Sequence, residues 1–317
     1  MISTIILVNP NAGRGRAGAL ARELVSRQKT LSDALWLEPA DATEAHTQLD
    51  QALSDDCQRL IVVGGDGTLN LAVNAVLDKG LGKKIHLSVL PAGTGVDFAR
   101  TLDPYPTLKS LPAVLNRKQS RPVDVLQVNW KNGQHRYAIN TVSAGIAGTV
   151  NATLAADSGR GSGAYLRATV RAFFSYQPQP LTLTLDGEHW CQEDLTLLAI
   201  TNGSHFGQGM RVAPQAAIDD GQAEVVAVAA MPRGLLLLRL VRIYLGNHLG
   251  APYVRYRQAS DIGIRQNPAA SGLDIDGESA PGGDITIRVI PGALRFSCWF
   301  SCFQSGRAAE KKSTRTL

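Results

Sequence analysis

One stretch of the sequence, residues 60–77, constrains the fold of this chain more than any other. It begins with Leu60-Ile61-Val62-Val63, an apolar, β-branched run that is typical of a buried strand. Gly64-Gly65-Asp66-Gly67-Thr68 follows, and apolar residues then recur at the spacing of one helix face. Because glycine has no Cβ, these three glycines would let the backbone turn sharply and let a phosphate approach it. Because unpaired N–H groups at a helix N-terminus bind anions, this turn is a candidate phosphate site with Asp66 beside it.

Strands and helices alternate through residues 1–121. The first strand is expected to end at Val8, and the pattern continues to Leu90. Such alternation predicts a mostly parallel sheet covered by helices, with ligands at the carboxyl ends of its strands. A second glycine-rich turn, residues 91–98, follows another predicted strand and contains Thr94. The two turns would then form one phosphate-binding edge.

Near Arg121 the apolar period changes to two, which favours antiparallel strands and a second domain. The expected fold class is therefore α/β, with an N-terminal mostly parallel α/β domain over residues 1–121 and a C-terminal antiparallel, β-sandwich-like domain over residues 122–284. Residues 301–317 are a polar, basic tail. The strands predicted in the second domain are 123–129, 137–140, 181–185 and 195–201.

Composition narrows the class of protein and its partners. A length of 317 residues suits two domains, and 44% hydrophobic with 19% charged residues is typical of a folded protein. The net charge of +5 favours anionic partners such as phosphates or acidic lipid surfaces. Nucleic acid is not an expected partner, because no dense Lys/Arg block accompanies aromatic residues. The four cysteines form no Cys-x-x-Cys pair and the first residues lack a basic leader, so we expect a reduced, cytoplasmic chain.

A dinucleotide-binding site is the weakest alternative. Residues 13–18 match the pattern G-x-G-x-x-G, and Glu38 follows at a suitable distance. That pattern needs its first glycine directly after the strand, whereas residues 9–12 intervene here. A dehydrogenase would also leave the turn at residues 64–68 unexplained.

Three motifs occur in order along the chain: Asn-Pro-Asn-Ala-Gly at 9–13, Gly-Gly-Asp-Gly-Thr at 64–68 and Pro-Ala-Gly-Thr-Gly-Val-Asp-Phe-Ala-Arg at 91–100. Together they resemble the catalytic domain of the diacylglycerol and sphingosine kinase superfamily, most closely its bacterial single-chain lipid kinases. The resemblance covers residues 5–296. It implies an NAD-kinase-like N-terminal domain to which residues 285–300 return. It also implies ATP-dependent phosphorylation of a lipid hydroxyl, with Mg²⁺, between the two domains.

The resemblance assigns roles to particular residues. It implies that Asp66 and Asp97 organise the metal or the acceptor. Thr43 is included because the family places a nucleotide-contacting threonine at the start of this helix, whereas the residues themselves predict an N-cap at Asp41 with Glu44 three positions on. The nucleotide-binding residues expected are Asn9, Thr43, Gly64, Gly65, Asp66, Gly67, Thr68, Leu69, Asn70 and Thr94.

Two positions depart from the family pattern. Leu71 stands where the lipid kinases commonly have Glu, and Val96 stands where they usually have Asn. Both differences remove polar side chains near the expected cleft. They bear on substrate contacts or rate more than on the nucleotide site, and they leave open a nucleotide-binding regulator without catalysis.

Two hairpin dipeptides are each followed by a glutamate, in Asp186-Gly187-Glu188 and in Asp276-Gly277-Glu278. The residues alone do not rank these two turns. The family's catalytic glutamate lies in an Asp-Gly-Glu turn late in the chain. The resemblance therefore implies that Glu278 is the general base and that Glu188 is a turn residue, with a plain turn carboxylate as the alternative for Glu278.

An acidic turn around Asp220 precedes another predicted strand. Similar bacterial lipid kinases hold a structural Mg²⁺ with a matching aspartate, which implies Asp220 and the backbone carbonyls of Ala217 and Gln222 as ligands. One carboxylate is a small donor set for Mg²⁺. A simple Asp-Gly turn is the alternative.

Two segments, residues 165–174 and 233–244, combine large apolar residues with arginines at helical spacing. This pattern is typical of interfacial helices, and equally of helices packed over a sheet with arginines outward. A soluble kinase such as an NAD kinase shares the Gly-Gly-Asp-Gly-Thr turn and is the main alternative activity. Residues 93–100 and the late Asp-Gly-Glu turn favour a lipid acceptor instead: diacylglycerol, phosphatidylglycerol or a sphingoid base, reached by peripheral contact at the inner face of the membrane.

Overall fold

The computed structural model describes residues 3–93, 95–103, 105–116, 120–146, 176, 178–266 and 272–297. In the N-terminal part, strands and helices alternate as the spacing predicts. The elements are β1 Thr4–Val8, α1 Ala17–Arg27, β2 Leu35–Leu37, α2 Ala42–Ala52, β3 Arg59–Gly64, α3 Asp66–Asp78, β4 His86–Pro91, α4 Asp97–Thr101 and α5 Leu111–Asn116, with a 3-10 turn at Lys29–Leu31.

The four N-terminal strands run parallel in the order β2-β1-β3-β4. β1 and β3 are buried along almost their whole length, because helices cover both faces of the sheet. Helix α3 packs Leu69, Val73 and Val76 against one face, and α1 packs Ala21 and Leu24 against the other. The carboxyl ends of β1, β3 and β4 therefore open on one edge, where each strand is followed by a turn.

The rest of the described chain is dominated by antiparallel strands. The strands predicted at 123–129, 181–185 and 195–201 are confirmed, and the one predicted at 137–140 lies two residues earlier, at His135–Ala138. The elements are β5 Arg121–Trp130, β6 His135–Ala138, β7 Thr141–Gly145, β8 Gln179–Leu185, β9 Glu188–Thr201, β10 Ala223–Ala229, α6 Arg233–Tyr244, β11 Val254–Ala259, β12 Asp261–Arg265, β13 Leu273–Ile275, β14 Glu278–Ala280 and β15 Ile285–Phe296.

The last strand, β15, is shared by the two parts of the protein. Its first half lies between β5 and β12 and is antiparallel to both. After a register shift between Ile290 and Leu294, its end at Arg295 and Phe296 pairs in parallel with β4. Hydrogen bonds thus link the fifteen described strands into one mixed sheet.

This architecture confirms the fold class, since a mostly parallel α/β part is followed by an antiparallel part. The domain limits at residues 121 and 284 stay predictions. Cys57 and Cys191 are buried free thiols, whereas Cys298, Cys302 and the basic tail lie outside the described residues. Within the described ranges, no helix has the length and apolar character needed to cross a membrane.

Candidate active site

A cleft of about 2130 Å³ lies at the carboxyl ends of β1, β3 and β4. The turns after these strands form one wall, and the β13–β14 hairpin with loop 206–210 forms the other. The cleft brings together many of the predicted site residues from both parts of the protein. Among the residues that line it are Asn9, Gly65, Asp66, Gly67, Thr68, Asn70, Asp97 and Glu278.

The turn between β3 and α3 needs glycine for close packing. Neither Gly64 nor Gly65 has a positive φ, so sharp turning is not the reason for these residues. A Cβ on Gly64 would lie 2.7 Å from Thr68 Oγ1, and a Cβ on Gly65 would lie 2.7 Å from the carbonyl oxygen of Gly95. The backbone N–H of Asp66 donates to that same oxygen at 2.9 Å. The two glycine-rich turns therefore pack directly against each other.

Asn9 links the β1–α1 loop to the turn before α3. Its Nδ2 donates to Thr68 Oγ1 at 3.0 Å, and its Oδ1 accepts from the backbone N–H of Asn11 at 3.0 Å. In the same loop Gly13 has a φ of +61°, and a Cβ there would lie 3.1 Å from the carbonyl oxygen of Ala92. The loops after β1, β3 and β4 are thus in contact along one edge of the sheet.

Asp66 is the first residue of α3, yet its carboxylate holds the beginning of α4. Oδ2 accepts from the Asp97 N–H at 2.7 Å, and Oδ1 accepts from the Phe98 N–H at 3.2 Å. Such N–H groups lack an intrahelical partner, so Asp66 caps α4 from a distant turn. Val96, at the N-cap position itself, makes no side-chain cap. Burial raises the pKa of Asp66 to about 7; the Asp97 and Asp276 carboxylates add to the rise, and the two N–H bonds oppose it.

Asp97 is a buried carboxylate, 5% exposed, beside Asp66. Its Oδ2 accepts from the Gln208 N–H at 2.7 Å. Its Oδ1 lies 3.5 Å from the guanidinium of Arg100 and has no hydrogen-bond donor within the described part of the chain. Burial raises the pKa of Asp97, while the Gln208 and Gly209 N–H groups and Arg100 oppose the rise. Adjacent carboxyl groups with raised pKa values are typical of functional sites.

Glu278 begins β14, directly after a tight hairpin turn. Asp276 and Gly277, predicted as a hairpin dipeptide, have φ values of +50° and +92°, as a type I′ turn requires. The Glu278 side chain is exposed in the cleft, and its Oε1 lies 3.3 Å from the position that a Cβ on Gly67 would occupy. The antiparallel part of the sheet therefore places a carboxylate at the N-terminal turn of α3.

Asp276 fixes this hairpin to α3. Its buried carboxylate accepts four hydrogen bonds of 2.7–3.0 Å, one from Asn70 Nδ2 and three from the N–H groups of residues 139–141. Asn70 Nδ2 also lies 2.8 Å from the carbonyl oxygen of Tyr137, to which it donates. Burial raises the pKa of Asp276, and these donors oppose the rise. Asn70 was predicted to contact the nucleotide; in the structure its side chain, 2% exposed, ties the two parts together.

The other Asp-Gly-Glu turn lies away from the cleft. Asp186 and Gly187 have φ values of +50° and +85°, so this turn is also of type I′. The Glu188 carboxylate is 3.2 Å from Arg257 on the surface. The same dipeptide therefore forms the same turn twice, and only Glu278 faces the parallel strands.

The remaining predicted nucleotide residues occupy different positions. Asp41 caps α2 as predicted, accepting from the Glu44 N–H at 2.9 Å, and it lines the cleft. Thr43 is exposed on the first turn of α2 and is not part of the cleft lining that the described residues form. Leu69 is 1% exposed and packs into the core beneath the sheet. Thr94 lies outside the described residues.

Asp220, in the predicted metal turn, is exposed. Asp220 Oδ1 accepts from the Gln222 N–H at 3.0 Å. Partial burial raises the pKa of Asp220, and the neighbouring Asp124 and Asp219 add to the rise. Across the described ranges, no group of three or more His, Cys, Asp or Glu side chains is placed to hold a metal ion. A Mg²⁺ site at Ala217, Asp220 and Gln222 stays a prediction.

Two features of this region are absent from the sequence-based predictions. Buried Asp124 accepts from the N–H groups of Gly221 and Gly292, each at 2.7 Å, and so joins the turn at residues 217–222 to β15. Loop 206–210 reaches Asp97 with its backbone. The two glycines that flank Gln208 are a sequence signal for a loop. No local pattern indicated that this loop would contact Asp97.

A sheet edge of glycine turns and helix N-termini that faces carboxylates across a cleft is the arrangement that a phosphotransferase requires. Residues 3–128 match the model of the diacylglycerol kinase catalytic domain, and residues 140–298 match that of the YegS C-terminal NAD kinase beta sandwich-like domain. The chain belongs to the diacylglycerol kinase family, in its YegS-like branch, and is a lipid kinase.

Relatives and solved structures agree with this assignment. The chain is 30% identical over 256 residues to a Pseudomonas aeruginosa protein described as "Probable lipid kinase YegS-like", covering 80% of each chain. It is 26% identical over 296 residues to a Mycobacterium tuberculosis diacylglycerol kinase, covering 91% of this chain and 93% of the other.

Two solved structures show the fold. A Bacillus anthracis diacylglycerol kinase has a TM-score of 0.68 at 19% identity, over 94% of this chain and 97% of the other. Yeast NADH kinase complexed with NADH has a TM-score of 0.54 at 12% identity, over 100% of this chain and 89% of the other. The second comparison confirms the NAD-kinase-like character of the fold.

Proposed function

We propose that this lipid kinase transfers the γ-phosphoryl group of ATP to a hydroxyl of diacylglycerol, phosphatidylglycerol or a related lipid, in the cleft between the parallel and antiparallel parts. The acceptor oxygen forms a bond to the γ-phosphorus, the bond to ADP breaks, and the hydroxyl proton goes to a base. Phosphoryl transfer of this kind depends on positioning, charge neutralisation and proton removal.

The observation that carries the proposal is the position of Glu278 beside Gly67. Oε1 of Glu278 lies 3.3 Å from the site of a Cβ on Gly67, which belongs to the N-terminal turn of α3. N–H groups at such a turn bind phosphate oxygens. A base must lie within hydrogen-bonding reach of the hydroxyl that it deprotonates. A hydroxyl bound between Glu278 and the phosphates on this turn would meet both requirements.

Mg²⁺ fits the pair of carboxylates at the start of α4. In kinase sites this ion usually takes one or two carboxylates together with substrate phosphates and water, so a complete protein cage is not needed. Asp97 Oδ1 is buried without a donor among the described residues, and each Asp66 oxygen accepts only one N–H bond. Asp97 and Asp66 would hold the ion, which when bound neutralises charge on the β- and γ-phosphates. A nearby cation would lower the raised pKa values of both groups.

The acceptor side of the cleft is apolar next to Asp97. Phe206, Met210 and Tyr244 line it there. Tyr244 also belongs to the exposed face of α6, where Val241 is 58% and Leu245 65% exposed. An apolar surface that continues into the cleft suits a lipid delivered from a bilayer, so the proposed partner is a membrane surface contacted peripherally. The other candidate segment, residues 165–174, lies outside the described residues.

An assay with labelled ATP, Mg²⁺ and single lipids in mixed micelles tests this function. Chromatography should show label in at least one glycerolipid product and none in NAD⁺ supplied as an alternative acceptor. Glu278→Gln protein, melted in parallel to confirm folding, is the control for a contaminating kinase. Label in NAD⁺ alone would favour the soluble kinase. ATP binding with no labelled product would favour a regulator without catalysis.

A further inference from the structure

Gln208 adopts an unfavourable backbone conformation at the cleft. Its φ is +65°, in the left-handed region that residues other than Gly, Asn and Asp rarely adopt. Three other described residues are of this kind: Asp186 and Asp276 form the Asp-Gly turns, where the conformation is expected, and Arg14 lies between Gly13 and Gly15 in the exposed loop after β1. Gln208 is half-buried and lies between Gly207 and Gly209, whose φ values are +62° and +102°.

The loop itself does not require a glutamine. Phe206 and Met210 close it by exchanging two backbone hydrogen bonds of 3.0 Å. Gln208 contributes its backbone N–H to Asp97 at 2.7 Å, which a glycine would do equally well. A glycine would also relieve the conformational cost. A side chain kept in a sparsely populated conformation at a cleft points to a role for that side chain.

The position of the side chain indicates what it could bind. Gln208 is half-buried and lines the cleft, and its backbone N–H bond places it at Asp97. Its two neighbours in the loop closure, Phe206 and Met210, line the apolar side. Within the described part of the chain, the side-chain amide of Gln208 makes no hydrogen bond. A neutral amide, able to donate and to accept, thus lies where polar lining meets apolar lining.

We infer that Gln208 Nε2 donates a hydrogen bond to an acyl ester carbonyl of a glycerolipid acceptor, and so selects acyl glycerolipids over lipids without esters. This inference rests on the proposed function. In a glycerolipid the ester joins the hydroxyl-bearing backbone to the acyl chain, so it would occupy the boundary between Asp97 and the apolar wall. An uncharged donor suits an uncharged carbonyl, whereas a charged headgroup would call for a charged partner.

Gln208→Leu and Gln208→Gly separate this role from packing. Leu keeps the approximate size and the strained backbone but removes the amide, whereas Gly removes both the amide and the strain. The acceptors are dioleoylglycerol or dioleoylphosphatidylglycerol, whichever the wild type uses better, and its diether analogue, which lacks the ester carbonyls. Both variants should lose about three- to tenfold in kcat/KM on the diester, mainly through KM, because a neutral hydrogen bond is lost.

On the diether analogue both variants should match the wild type, and the KM for ATP should not change. The Gly variant should melt above the wild type, which shows that the loop is intact. Equal losses on diester and diether, or no loss on either, would overturn the ester contact while leaving the kinase activity established. Wild-type activity with a sphingoid base as the only accepted lipid would also overturn the ester contact. A wild type inactive on every lipid would overturn the proposed function, and the role of Gln208 with it.

Discussion

The side-chain amide of Asn70 donates a 2.8 Å hydrogen bond to the carboxylate of Asp276, although the two residues are 206 positions apart in the sequence. Asn70 lies in α3, which starts at the proposed phosphate-binding turn, and Asp276 precedes the proposed base Glu278 by two residues. This contact therefore fixes the position of the proposed base relative to that turn.

A double-mutant cycle measures this contact. Asn70→Ala leaves a buried carboxylate with one donor fewer and should reduce the free energy of unfolding by about 1–3 kcal/mol. Combined with Asp276→Ala, it should show a coupling energy of at least about 0.5 kcal/mol in urea unfolding. Asn132→Ala, in the exposed β5–β6 turn, should show no coupling to Asp276→Ala. Additive effects of Asn70→Ala and Asp276→Ala would contradict a direct contact.

Substituting two neighbouring glycines should separate stability from activity. Gly65→Ala would place a Cβ 2.7 Å from the Gly95 carbonyl oxygen, so it should lower the melting temperature. Gly67→Ala meets only the end of the Glu278 side chain at 3.3 Å and lies in a helix, where Ala is favoured over Gly by up to about 1 kcal/mol. Its melting temperature should stay level or rise while kcat falls, because Glu278 is displaced. A wild-type kcat in Gly67→Ala would contradict the placement of the Glu278 side chain at this turn.

The two Asp-Gly-Glu turns provide a matched test of the base. Glu278→Gln keeps size and turn geometry but removes the proton acceptor, so kcat should fall by about 10²–10⁴-fold with ATP binding largely intact. Glu188→Gln breaks only a surface ion pair with Arg257 and should leave kcat unchanged. Steady-state kinetics and thermal melts of both variants check this. If Glu188→Gln is the impaired variant, the assignment of the base is wrong.

The raised pKa of Asp66 predicts stability that falls as pH rises. Its folded-state pKa of about 7 lies above the ordinary value of 3.8, so the folded protein holds this proton more tightly than the unfolded chain. The resulting stabilisation is complete below about pH 4 and is lost as pH rises through 7, with a slope of at most about 1.4 kcal/mol per pH unit.

Asp66→Asn cannot titrate, so its stability should fall less between pH 4 and pH 8 than that of the wild type. Urea unfolding without ATP or Mg²⁺ measures the two slopes. Asn loses one acceptor for the N–H groups of α4 at every pH, which shifts its curve without changing its slope. Parallel curves for the two proteins would contradict the raised pKa.

The exposed apolar face of α6 predicts binding to membranes. Val241, Tyr244 and Leu245 lie on one side of the helix by their spacing and are at least half exposed. Replacing Val241 and Leu245 together by Ser should weaken co-sedimentation with phosphatidylglycerol-containing vesicles severalfold. Added salt should weaken wild-type binding, because each basic residue near the surface contributes roughly 1 kcal/mol that salt screens. ATP binding is the internal control. Equal sedimentation of both proteins would show that this face of α6 does not bind the membrane.

Local chemistry predicted the local features of this structure. The alternation of strands and helices, the cap at Asp41 and both type I′ turns follow from neighbouring residues, because each depends on backbone preferences within a few positions. The glycines at 64 and 65 were also identified, but for a different reason: Thr68 packs against Gly64, and another turn, 30 residues later in the chain, packs against Gly65.

Contacts between residues far apart in the chain were not predicted from the sequence. Asp66 was expected to organise the metal or the acceptor, and it also caps α4, so its substitution affects the fold of the site as well. Asn70 was assigned to the nucleotide, and its bond to Asp276 was not predicted. Thr43, carried over from the family, lies outside the cleft lining of the described residues. In each case the partner is set by which strands are adjacent, and hydrophobic periodicity does not encode this.

The shared strand β15 limits how the cleft can open. One wall of the cleft rests on the part of the sheet that contains β4, the other on the part that contains β5 and β12, and β15 is hydrogen-bonded to all three strands. Its ladder is interrupted only at the bulge between Ile290 and Leu294, where Asp124 holds the Gly292 N–H. Bending of β15 at this bulge would change the width of the cleft. The Asp124 carboxylate thus holds the backbone at the one place where the β5–β15 ladder is broken.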